Sequence, residues 1–146
     1  MVFSEADIIR RRERLEALVA FLPRFEAEDF QFASWVEPKQ SADTIIEGRF
    51  TLGREAAAFV KAAYDHDWVK SFKWSSWAQS EEAAQLRDDE RVLAHADEDQ
   101  LAKLLTTCIR SDRFVEGTLA HSFETGLLTR ILHRARVLLS ELDTTG

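Results

Sequence analysis

Apolar residues recur at helical spacing from the start of the chain, where Ile8, Leu15, Leu18, Val19 and Leu22 share one face and Arg10, Arg11, Arg12 and Arg14 mostly cover the other. Ser4, with Asp7 at the third helical position, supplies an N-cap, and Phe3 with Ile8 supplies a hydrophobic staple. The pattern predicts a helix over about residues 5–22, ended by Pro23. Acids between the arginines (Glu5, Asp7, Glu13, Glu16) mark that run as a solvated helix face rather than an anion patch. Over residues 24–50 the pattern weakens, because Phe25, Phe30, Phe32, Trp35 and Val36 fit neither a long helix nor strict alternation. Residues 37–43 carry turn chemistry, and Thr44, Ile45 and Ile46 form a short extended piece before Gly48. So long a connection is a candidate lid or partner contact.

Ala56, Phe59, Val60, Ala63 and Tyr64 predict a second helix from near Thr51 or Gly53 to about residue 65. Trp68, Trp74 and Trp77 then crowd into one connection, as ring platforms or, more simply, as a seal over one end of the core with each indole N–H on a carbonyl. Ser76 and Gln79 read as a capping pair for a thinly apolar helix over about residues 77–87. Asp97 and Gln100 open the strongest helix, with Leu101, Leu104, Leu105, Cys108 and Ile109 on one face. Its period runs on through Asp112, which a continuous helix would bury at considerable cost, so a break at Ser111 and Asp112 is expected, with a new helix from near Arg113. Gly117 then marks a close backbone approach and Gly126 a stop, before a last helix over about residues 127–142. The expected fold is all-α. A single domain over residues 1–146 forms one compact bundle of about five to six helices, with an irregular connection at 24–50 and a short extended segment near residues 44–50.

Composition changes this picture little: 31% charged and 45% hydrophobic residues, with five Gly and two Pro, suit a helical globule. A net charge of -7 argues against nucleic-acid binding. Cys108 is the only cysteine, which excludes an intramolecular disulfide and a Cys-rich metal site. No apolar run is long enough for a membrane span and no signal peptide is evident, so the expected location is cytoplasmic and no membrane partner is implied. The acids between residues 81 and 99 lack the alternating ligands and central glycine of an EF-hand, and His121 with Glu124 lacks a second Glu-x-x-His partner. No metal or cofactor is implied.

Phe72, Trp74 and Trp77 form an F-x-W-x-x-W element. Leu104-Leu105-Thr106, Arg110, Asp112-Arg113-Phe114, Glu116-Gly117, Leu119, Phe123 and Gly126 follow as LLT-x-x-x-R-x-DRF-x-EG-x-L-x-x-x-F-x-x-G. In these motifs the second half of the chain resembles a bacterial family of small uncharacterised helical proteins. The resemblance implies a helical single domain with no established activity.

Arg110, Asp112, Arg113 and Glu116, beside Trp74 and Trp77, are the candidate site. Two arginines can hold a carboxylate or phosphate bidentately, and carboxylates four residues apart on one helix can raise one another's pKa for acid–base work. The simpler role is a salt-bridge and capping network fixing how the helices meet. No phosphate loop, nucleophile elbow or zinc spacing is present, so no residue is assigned as catalytic. The leading expectation is a non-catalytic helical interaction or accessory module that binds itself or another protein. The alternative is a binder of, or enzyme acting on, a small anionic ligand through those four residues.

Overall fold

In the computed structural model, which describes residues 4–145, the Ser4 hydroxyl accepts the Asp7 N–H at 3.2 Å and opens helix α1 (Glu5–Val19). The predicted staple to Phe3 lies outside the described residues. The helix ends three residues short of Leu22, and Pro23 sits in the first turn of a second short helix, α2 (Leu22–Phe25), where its missing N–H costs nothing. Leu15 and Leu18 are fully buried against the last helix, α9 (Leu127–Thr145).

The stretch after α2 is not all irregular. Strands β1 (Ala33–Val36) and β4 (Arg49–Leu52) pair antiparallel, Ala33 opposite Leu52, and between them β2 (Lys39–Gln40) pairs with β3 (Ile45–Ile46). The expected extended segment near residues 44–50 is therefore one side of a hairpin arm, and the fold is mostly helical with small two-stranded sheets rather than purely helical. Periodicity misses the arm because its strands are two to four residues long, with Trp35 and Ile45 largely exposed. Gly48 lies under the Trp35 ring, which any Cβ there would overlap.

The scattered phenylalanines converge. Phe25 meets Phe21, Phe30, Phe32, Phe59 and Phe123 at centroid distances of 5.3–5.7 Å, and Phe32 stacks on Phe123 at 4.8 Å. Phe59 comes from α3 (Arg54–Asp65) and Phe123 from α8 (Thr118–Glu124), so this cluster joins the arm's base to both helices.

The helix predicted over 77–87 is split into α4 (Trp74–Ala78) and α5 (Glu81–Asp88). Its cap is Ser80, whose hydroxyl accepts the Ala83 N–H at 3.2 Å and donates to the Trp77 carbonyl at 2.6 Å, in place of the Ser76–Gln79 pair. A further turn, α6 (Glu90–Leu93), is capped by Asp89. Helix α7 (Glu98–Ser111) opens with the expected capping box: Asp97 accepts the Gln100 N–H at 2.8 Å while the Gln100 side chain accepts the Asp97 N–H at 3.0 Å. The expected five to six helices correspond approximately to α1, α3, α5, α7, α8 and α9, while α2, α4 and α6 are extra turns of four or five residues. One hydrophobic cluster runs through these elements, centred on Leu101, Leu104 and Leu105 of α7 and Leu128, Ile131 and Leu132 of α9. Among the described residues, no helix is long and apolar enough to cross a membrane.

Candidate functional site

Helix α7 stops at Ser111, as the caps predict, but the next helix begins at Thr118 instead of near Arg113. Asp112 explains the delay. Its Oδ1 accepts the backbone N–H groups of Gly117 and Leu119, each at 3.1 Å, which satisfies two donors at the start of α8 from five and seven residues upstream. Gly117, with φ of 92°, makes the left-handed turn that brings those amides round. Gly126, with φ of 86°, ends α8 as expected.

The 112–117 turn is thus held at both ends, and it carries Phe114 and Val115 into solvent at 77% and 66% exposure. Trp74 supports it, with its ring centroid 5.9 Å from that of Phe114. Trp77 turns elsewhere: its indole N–H donates to Glu82 Oε1 at 2.5 Å and its ring lies edge-on to Phe72 at 6.2 Å. Arg113 and Glu116 are exposed, while Arg110 is half-buried and its Nε has no hydrogen-bond partner among the described residues. Neither Arg110 nor Arg113 forms an ion pair with Asp112. The structure therefore brings Trp74 to the turn and directs Asp112 to the backbone. Asp112→Ala is expected to cost about 1–2 kcal/mol, the range for losing a helix cap, and to speed hydrogen exchange at Gly117 and Leu119. Unchanged protection at those two amides would refute the capping role.

A polar joint that no sequence period marks holds the tryptophan segment. The Arg14 guanidinium lies 4.2 Å over the Trp68 ring, and Trp68, fully buried, donates its indole N–H to the Arg14 carbonyl at 2.9 Å. Arg14 also donates to the His66 carbonyl at 2.9 Å and the Asp67 carbonyl at 3.1 Å, and Asp67 itself has φ of 60°. Glu98 of α7 completes the joint, 2.6 Å from Arg11 and 3.6 Å from Arg14, and Arg12 pairs with Asp143 at 3.0 Å. The arginine run is consequently an inter-helix contact in which burial lowers the Arg14 pKa against the opposing pull of Glu98 and Asp67, not a wholly solvated face. Thr106, the threonine of the LLT motif, is fully buried; it accepts the Lys70 N–H at 2.8 Å and donates to the Ala102 carbonyl at 2.7 Å. Only a Thr or Ser there fixes the 68–70 segment to α7 in this way.

Beside the turn, α5, α7, α8 and α9 surround a cavity of about 400 Å³. Ser111 and Thr118, at the turn's two ends, line it, whereas Arg110, Asp112, Arg113 and Glu116 do not. Among the described residues, no group of three or more His, Cys, Asp or Glu side chains is placed to hold a metal ion.

Residues 10–141 match a family described only as a family of unknown function, DUF6508. The chain belongs to this family. Membership in DUF6508 extends over the first half of the chain as well as the motif-bearing second half, so the α1–α7–Trp68 joint lies within the family's span. No curated protein and no solved structure matches.

Proposed function

We propose that this chain is a non-catalytic protein-interaction module whose contact is the 112–117 turn. One observation carries the reading: Phe114 and Val115 project into solvent from a turn pinned by Asp112 and backed by Trp74. An aromatic side chain presented this way offers a large apolar area at little ordering cost, the usual make-up of an interface hot spot. Arg113 and Glu116, exposed on either side, are suited to setting orientation at the rim. The second reading, an anionic-ligand site built from Arg110, Asp112, Arg113 and Glu116, has less support, since Asp112 Oδ1 is committed to backbone amides.

The partner is a second copy or another protein, and one pair of measurements covers both. Sedimentation over a wide concentration range is combined with a photo-crosslinking amino acid placed at Val115 and activated in the host cell. Expected is either self-association or one dominant adduct. Phe114→Asp should weaken it by the equivalent of about 2 kcal/mol or more while costing the monomer no more than about 0.5 kcal/mol of stability, because the side chain is exposed. A strict monomer that yields no adduct removes the reading.

A further inference from the structure

Arg87 and Arg130, both half-buried, line the cavity between α5, α7, α8 and α9. Arg87 donates to the Ala78 carbonyl at 3.0 Å, and both terminal nitrogens of Arg130 reach the Arg87 carbonyl at 3.4 Å. These carbonyls orient the two groups without neutralising them. Among the described residues, neither has a carboxylate at ion-pair distance, although Asp88 also lines the cavity, whereas Arg11, Arg12 and Arg14 are each paired. In a chain of net charge -7 this is a local, sheltered concentration of positive charge, with His121 at its exposed side.

The residues that α7 and α8 contribute have a different chemistry. Thr107 and Ser111 donate their hydroxyl protons to carbonyls four residues earlier in α7, at 2.8 and 2.5 Å. Thr118 donates to the Val115 carbonyl at 2.6 Å, and Ser122 to the Thr118 carbonyl at 3.0 Å. Each hydroxyl has one proton, so what remains for a ligand is lone pairs. The cavity thus pairs fixed cationic donors with a row of acceptors.

We infer that this cavity binds a small hydroxylated oxyanion, its phosphate or carboxylate head on Arg87 and Arg130 and its hydroxyls donating to the row Thr107, Ser111 and Thr118. Ser122 is engaged with Cys108. A guanidinium pair recognises either head group bidentately, and the volume of about 400 Å³ falls in the range of small-molecule sites. The site is distinct from the 112–117 turn, yet Ser111 and Thr118 flank that turn, so an occupant would stiffen it.

Calorimetric titration with glucose 6-phosphate, gluconate and glucose tests the inference on the intact chain. Binding of the phosphate or the carboxylate, but not of glucose, is expected, and which of the two binds identifies the head group. Arg87→Gln and Arg130→Gln should each weaken binding by roughly tenfold or more, as loss of a charged hydrogen bond does. Cys108, the sole cysteine, is 5% exposed and lines the same cavity, so the bound ligand should also slow its modification by methyl methanethiolsulfonate in the unmutated protein. That measurement stands even if a variant fails to fold. No heat with either anion, equal binding of glucose, or binding that leaves the Cys108 rate unchanged overturns the assignment.

Discussion

Trp68→Ala is expected to destabilise the protein by about 4 kcal/mol, within the range for removing a large buried aromatic. Against a total of about 5–15 kcal/mol for a domain, this is a loss that equilibrium unfolding in urea reads as a lower midpoint at an unchanged slope. Three losses combine: the buried ring, the face on which the Arg14 guanidinium sits, and the indole N–H to the Arg14 carbonyl. Trp68→Phe separates them, because it keeps a ring under the guanidinium and deletes only the donor and part of the volume; it should cost about 1–2 kcal/mol. If the two variants were equally destabilised, the ring would not be the element that holds the joint. The consequence reaches the candidate site, since the segment leaving Trp68 is fastened to Thr106 and leads directly into α4, which supplies Trp74 to the turn.

Phe25→Ala should cost about 3–4 kcal/mol, because the side chain is 5% exposed and is the ring that most of the aromatic cluster touches. Its partner Phe123 lies on α8, so the loss is expected to loosen that helix as well as the base of the hairpin arm. A double-mutant cycle with Phe123→Ala should return a coupling of about 1 kcal/mol, the two single losses summing to more than the double. Additive losses would show that the ring-to-ring distance of 5.4 Å carries no energy of its own. Together the two variants probe the supports of the turn from opposite sides, Trp68 through α4 and Phe25 through α8.

The candidate site was legible in part. The motif residues Trp74 and Asp112 do belong to one surface, and the break after Ser111 follows from two adjacent capping residues. The direction of the Asp112 side chain leaves no mark in the sequence pattern. A carboxylate four residues from Glu116 looks like half of an acid pair only if the backbone stays helical, and the end of α7 at Ser111 removes that possibility. Arg87 and Arg130 were invisible as a pair, because 43 residues separate them and neither belongs to a recognisable motif.

By itself the sequence determined the positions of the long helices and the box that opens α7, because a period of 3.6 and a side chain capping an amide three residues away are both local. Only the tertiary structure decided the meeting of Arg11 with Glu98 across 87 residues, the gathering of phenylalanines around Phe25, the hairpin arm, and the cavity between α5 and α9. Such contacts are selected by burial and by unsatisfied polar groups seeking partners from any part of the chain, and neither leaves a period behind. The exposure of Phe114 belongs to the same class: its neighbours in sequence mark a turn, but whether the ring is covered was settled by the packing of α4, α7 and α8 around it.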